Sequence, residues 1–328
     1  MTGRRAPAGS GRDAAAALSG LAGRLTGRDR WIAAMVFEHQ VLTGPQIGRM
    51  CFDGARMARQ RLATLHQLDV LDRLRPALPP PDRPAGPFLG PASQPYHYLL
   101  GLAGAHVLAA ERGISVRQLR YRREEQLAVA FSPRVGHLVG VNDLFTRWVH
   151  ASRPRPAGQG LTVWWSERRA ARIWGDLTRP DGYGVWTTPH RRLEFFLEYD
   201  TGSSALGRLS RKLPGYHRLA QATAIRTPLL IWLPTPRREA AARAQLPTGL
   251  PVPIATASPA FVPGGLEEPD PAGPVWLPLD QAHRYRFTVD QLADLYGHPH
   301  PTPPSPVAGT DDGEADGVEA PDPRPPGR

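Results

Sequence analysis

Hydrophobic positions recur at helical spacing from Trp31 onward. In "RDRWIAAMVFEHQ", Trp31, Ala34, Met35 and Glu38 fall on one face, which predicts a first helix. "TGPQIGRMCF" opens with Thr43 and Gln46, the spacing of a capping box. Pro45 sits in the first turn, where its missing N–H costs little. A third helix running into a strand follows in "GARMARQRLATLHQLDVLDRLRP", with Ala58, Leu62, Leu65 and Leu68 as its apolar stripe. Two extended segments, "VLDRLRP" and "PYHYLLG", flank a proline-rich stretch at 76–95, and "GLAGAHVLAAERG" reads as a helix stopped at Gly113. Residues 117–151 keep the helical period, with Leu138, Val141, Phe145 and Trp148 on one stripe.

From residue 160 the period changes. "LTVWWSE", "DGYGVWTT" and "RRLEFFLEYD" read as three strands. In the third, Glu194, Phe196, Glu198 and Asp200 alternate with Leu193, Phe195, Leu197 and Tyr199. "SALGRLSRKLPGYHRLAQ" returns to a helical stripe of Leu206, Leu209, Leu213, Tyr216 and Ala220. "TPLLIWLPT" is wholly apolar, as for a strand covered on both faces. Beyond it, "RREAAARAQL" and "TVDQLADLYG" predict helices, and "PVPIATAS" and "PVWLPL" short extended segments.

The order of elements over 28–116 is that of a winged helix-turn-helix. Residues 117–300 read as an α/β domain, so the chain is α+β overall. The ends have a different composition. Residues 1–27 read as a disordered basic arm carrying a short helix at Asp13–Leu25, and residues 301–328 as a disordered, acidic, Pro-rich tail. The chain has 328 residues and a net charge of +10. The tail contributes −4, so residues 1–300 carry +14. A body so basic points to a polyanion, nucleic acid before membrane. A single cysteine, Cys51, excludes a disulfide framework and a cysteine zinc site. No apolar run approaches the ~18 residues of a membrane span, and the N-terminus is too broken by Gly, Arg and Asp for a signal peptide. The expected location is the cytoplasm.

Chemistry enters at two places. On the third helix, Arg56, Arg59 and Gln60 are spaced i, i+3, i+4 and share the side away from the apolar stripe. Arg suits guanine edges, Gln adenine edges, and both suit phosphates, so this face is a candidate reader of double-stranded DNA. An ordinary solvated helix face has the same pattern. The second place is acidic. Period-2 alternation puts Glu198 and Asp200 on one side of their strand, and a hairpin would bring Asp181 beside them. Such carboxylates can hold Mg²⁺ or Mn²⁺ for phosphodiester cleavage. Alternation alone leaves open a half-exposed strand whose acids face solvent. Glu167, at the end of "WWSE", is a further polar candidate, and His137 and His217 are candidate proton donors. No histidine triad with a tyrosine nucleophile, as a relaxase uses, is visible.

"RPD" at one strand start, "LEYD" on the next strand, then a helix and a buried strand resemble the PD-(D/E)xK nuclease superfamily. The larger ordered set, a winged helix followed by "HLVGVNDLF", "WWSE", "RPDGYGVW", "FFLEYDTGS" and "KLPGYHRL", resembles the replication-relaxation family of actinobacterial plasmids and related mobile elements, over about residues 28–235. The resemblance implies a restriction-endonuclease-like αβββαβ domain. It matches Asp181 and Glu198 to the two acids and makes Asp181, Glu198 and Asp200 the implied metal ligands. Asp200 stands where the nuclease motif has its lysine. Lys212, the only lysine among 40 basic residues, lies on the following helix, from which some members of the superfamily supply that group. A lysine that only neutralises the acids is the alternative. The expected role is plasmid replication, relaxation or transfer, with a homodimer and replication or transfer proteins as open partners. An active Mg²⁺-dependent endonuclease or nickase, and a regulator with a non-catalytic second domain, are the competing expectations.

Overall fold

The computed structural model describes residues 20–21, 23–75, 95–203, 207–224, 226–247, 251–262, 265–267, 269–280, 284–300 and 319–327. The loop expected at 76–95 lies outside them except for Pro95, as do most of the helix expected at Asp13–Leu25 and residues 301–318 of the tail. The chain forms two compact units. The first comprises Met1–Gly48, Phe52–Ser132 and Pro325–Arg328; the second comprises Arg49–Cys51 and Pro133–Arg324.

In the first unit, α1 (Gly27–His39) begins at a capping box in which Thr26 and Asp29 satisfy each other's backbone N–H groups. The helix is buried nearly all round, with Trp31, Ile32, Met35, Val36 and Phe37 in the core. A short strand, β1 (Leu42–Thr43), leads into α2 (Gly44–Cys51), which opens at the expected Thr43–Gln46 capping box. On α3 (Ala55–Gln67), Ala58, Leu62 and Leu65 are buried, whereas Arg56, Arg59 and Gln60 are exposed. Arg61 fastens α3 to α1 by pairing with Asp29, which is only 1% exposed. Strands β2 (Leu71–Leu74) and β3 (His97–Leu100) pair antiparallel, and β1 joins the other edge of β3, giving the order β1-β3-β2. Helices α4 (Leu102–Glu111) and α5 (Arg123–Ala130) complete the unit. Residues 117–132 lie within this unit. Tyr121 donates its hydroxyl to the Leu100 carbonyl at 3.1 Å, and Arg123 pairs with Asp72 at 2.8 Å.

The second unit is a mixed sheet. After α6 (Val135–Ser152) come β4 (Gly160–Ser166), α7 (Glu167–Trp174), β5 (Gly182–Thr187), β6 (Arg191–Tyr199), α8 (Gly207–Thr223), β7 (Leu229–Trp232), α9 (Pro236–Gln245) and β8 (Ile254–Ala257). The unit continues with β9 (Ala260–Val262), β10 (Gly265–Glu267), β11 (Leu277–Pro278), α10 (Val289–Tyr296) and β12 (His298–Pro299). Strands β4, β5 and β6 form an antiparallel meander. The crossover through α8 lays β7 parallel to β6, and β8 follows parallel to β7. Alternation along β6 separates two cores. Phe195 stacks with Phe145 and meets Trp148 of α6 edge-to-face on one side, and Phe196 packs with Trp174 of α7 and Tyr216 of α8 on the other.

Two features depart from the sequence reading. Helix α7 was not expected. Ser166 ends β4 and caps the helix by accepting from the Arg169 N–H at 3.2 Å, while Ala170 and Trp174 are its buried side. The last residues of the tail are also placed: Arg324 donates to the carbonyls of Ser152, Arg155 and Pro156 at 2.8–3.0 Å. These oxygens lie at and just past the C-terminus of α6. Among the described residues, no helix is long and apolar enough to cross a membrane.

The loop before Asp181 runs tightly over α8 at Gly215, where an added Cβ would lie 2.3 Å from the Leu177 carbonyl oxygen. In an open helix, Gly→Ala stabilises by about 1 kcal/mol. Here the sign should reverse: Gly215→Ala is expected to lower unfolding stability by about 1–3 kcal/mol in urea titration. An unchanged or raised midpoint would show that the loop yields freely.

Candidate functional site

Asp181 lies just before β5, and the β5–β6 hairpin places it across from the end of β6. Its backbone N–H donates to the Leu197 carbonyl at 3.0 Å, and its Oδ2 accepts the Tyr199 N–H at 2.8 Å. Glu198 projects from the face of β6 that carries Phe196, towards α8. Lys212, on α8, closes the gap. Its Nζ lies 2.6 Å from Glu198 Oε2 and 3.2 Å from Asp181 Oδ1, and it donates to the Arg179 carbonyl at 3.2 Å. One turn further on, Tyr216 donates its hydroxyl to Glu198 Oε1 at 2.5 Å. His137 approaches from α6, with Nε2 3.3 Å from Asp181 Oδ2 and its ring edge-on to Tyr199. The strand end is thus reached by α8 on one side and α6 on the other.

Asp181 and Glu198 are 7% and 4% exposed, and their environments drive them apart. Burial alone would raise Asp181, but the hydrogen bond from His137, the Lys212 charge and the Tyr199 N–H hold it down to about 2. Glu198 is pushed up to about 8, first by burial and then by the Asp181 charge, against Lys212 and Tyr216. Burial works to neutralise Lys212 as well, yet the two acids outweigh it and keep the ammonium protonated. Burial and Glu198 raise the Tyr216 hydroxyl well above its ordinary value.

Asp200 does not join this group. The strand ends at Tyr199, and with it the alternation that would keep residue 200 on the side of Glu198. The Asp200 carboxylate instead accepts the Gly202 N–H at 2.8 Å and pairs with both Nε and a terminal nitrogen of Arg238, in the first turn of α9. Glu167 also stands apart, paired with Arg134 at 2.9 Å. Two participants were missed by sequence reasoning. Tyr216 had a usable signal, because it lies four residues after Lys212 on the same helix. Arg238 had none, because only the fold brings α9 to the end of β6.

The donors present suit a hard divalent cation as a pair of carboxylates, not as a trio. Among the described residues, no three His, Cys, Asp or Glu side chains are grouped to hold a metal ion. Magnesium is commonly held by one or two carboxylates with phosphate and water completing its shell. The Lys212 ammonium lies between oxygens of both acids, and so marks a point where a cation meets the two together.

The raised Glu198 gives a signed pH dependence. A carboxyl whose folded value exceeds its unfolded 4.5 holds an extra proton in the native state between pH 4.5 and 8. Its contribution is therefore complete below 4.5 and is lost as pH rises through about 8. Glu198→Gln cannot titrate. Urea unfolding from pH 5 to 8.5 should show the variant gaining on the wild type as pH rises; equal slopes would contradict the assignment.

Neither the comparison with curated proteins nor that with solved structures gives a match. A family model described as replication-relaxation matches residues 34–229, a stretch running from α1 to the start of β7 and holding Arg56, Arg59, Gln60, Asp181, Glu198 and Lys212. With that match over more than half of its length, the chain belongs to the replication-relaxation family.

Proposed function

We propose that this protein binds DNA in the replication, relaxation or transfer of a plasmid or mobile element, and that its second unit is a nuclease-like domain acting on the phosphodiester backbone. The observation that carries the reading is the convergence of Asp181, Glu198 and Lys212 at one strand end, on a meander followed by a helical crossover to a parallel strand. Family membership supports the biological setting. The first unit is read as a winged helix, with α3 entering the major groove. Arg56, Arg59 and Gln60 stand exposed opposite its buried stripe, as base and phosphate contacts require.

In this reading, Asp181 and Glu198 would hold Mg²⁺ or Mn²⁺. The ion would supply Lewis acidity for a phosphate oxygen and lower the pKa of a bound water. Lys212 holds a compact positive charge beside the position of the reacting phosphate, a task for which an ammonium is better shaped than a guanidinium. Tyr216 fixes the orientation of Glu198, and His137 stands ready to hold or pass a proton at Asp181. A second reading is favoured by the same lysine. With Nζ already bonded to both acids, the domain keeps its fold and binds DNA without cutting it.

Incubation of the protein with supercoiled plasmid and Mg²⁺ or Mn²⁺ separates the two. Nicking is expected for the wild type, with a loss of at least ~100-fold in Asp181→Asn, Glu198→Gln and Lys212→Met. No nicking, or nicking unchanged in the variants, rejects the nuclease reading in favour of binding alone. Binding is checked separately by fluorescence anisotropy on duplex DNA. Arg56→Ala and Arg59→Ala should each weaken it on the order of tenfold, and unchanged affinity would move the contact off α3.

A further inference from the structure

The two oxygens of Asp181 answer to different partners. Oδ1 faces Lys212 Nζ at 3.2 Å, on the side of Glu198. Oδ2 accepts the Tyr199 backbone N–H at 2.8 Å and lies 3.3 Å from His137 Nε2. The Tyr199 side chain acts on the same oxygen indirectly. Its ring meets the His137 ring edge-on, with centroids 5.8 Å apart and planes at 77°. That ring also lies against α6 itself, at Gly140. A Cβ added there would fall 2.5 Å from Cε1 and Cζ of Tyr199 and 2.7 Å from its hydroxyl oxygen, so only glycine admits the ring. His137 and Gly140 stand at i and i+3 and share one face of α6. Both fall in "HLVGVNDLF", of which the nuclease reading itself uses only His137.

We propose that Gly140, Tyr199 and His137 form a positioning device for Asp181. The Tyr199 ring, admitted by Gly140, sets His137 against Oδ2, and Oδ1 is left turned to the point where a cation meets Asp181 and Glu198 together. The inference rests on the reading of this strand end as a metal-holding site and gives His137 an orienting task that needs no proton transfer. A carboxylate free to rotate loses that freedom when it takes a cation. Two donors on one oxygen fix its plane beforehand, so less is lost on binding. The His137 side chain is 25% exposed and cannot hold its own place by burial alone. An aromatic ring packed edge-on restricts how far the imidazole can swing. The ring is in turn anchored twice, by its place at the end of β6 and by its seat on the α6 backbone at Gly140. His137, Tyr199 and Gly140 thus act through Asp181, and none of them needs to touch substrate or metal.

Two measurements on the full chain test this. The first is nitrogen-15 NMR of the imidazoles, in which the His137 signal is picked out from the 11 histidines by its loss in His137→Gln. The wild type should show a resolved Nε2 proton held by Asp181. Gly140→Ala, which pushes the ring away, and Tyr199→Leu, which removes the ring without a clash, should both lose that signal to exchange with water. The second is Mn²⁺ binding by calorimetry, which should weaken about tenfold in His137→Gln, Gly140→Ala and Tyr199→Leu. A merely structural role would lower the urea midpoint of the variants and leave the His137 signal and the Mn²⁺ affinity in place, and that result overturns the device. Should Gly140→Ala fail to fold, Tyr199→Leu decides alone. Wild-type Mn²⁺ binding with an unchanged affinity in the variants overturns the positioning role and leaves the metal-holding reading standing. A wild type that binds no Mn²⁺ overturns the metal-holding reading and the device with it.

Discussion

The Lys212 ammonium is the interaction on which the candidate site depends. Two nearly buried carboxylates, Asp181 and Glu198, are brought to one point by the β5–β6 hairpin, and left alone they would repel each other in a medium that penalises both charges. Lys212 answers both, reaching across from α8 to one oxygen of each. That reach requires α8 to lie against the sheet with Tyr216 and Leu213 in the core and with Gly215 beneath the loop that delivers Asp181. Core packing and site assembly are therefore one constraint: the helix that seals the apolar face also carries the counter-charge.

The same economy governs the first unit. Buried Asp29 pairs with the half-buried Arg61 and also completes the capping box of α1. Removing one partner of such a pair leaves an uncompensated charge, which is why paired charges inside a protein are sensitive to truncation. Arg61 is spent on the fold, while its neighbours Arg56, Arg59 and Gln60 on the same helix remain turned outward. On this helix, then, one arginine is held by a carboxylate, and Arg56 and Arg59 are left facing solvent.

The elements were largely legible because their signals are local. The capping box at Thr43 and Gln46, the stripe of Ala58, Leu62 and Leu65, and the strict alternation of β6 each fix a conformation through neighbouring residues alone. Helix α7 escaped notice because it follows its strand without a break, Ser166 serving both as strand end and as cap. Residues 117–132 fall within the first unit, where Tyr121 and Arg123 reach back to β3 and β2, far away in sequence, and spacing along the chain carries no trace of such contacts.

By itself, the sequence determined the order of helices and strands apart from α7, the outward face of α3, and the candidacy of Asp181, Glu198 and a lone lysine, since each of these follows from periodicity or residue type. The tertiary structure decided which acids meet. Periodicity grouped Asp200 with Glu198, but the strand ends at Tyr199, and Arg238 arrives from a helix more than thirty residues later to claim the carboxylate. It also decided that Tyr216 and His137 complete the polar shell, from two helices on opposite sides of the sheet. Partner choice among charged side chains depends on distances in space and on burial, and neither quantity is written in the spacing of residues along a chain.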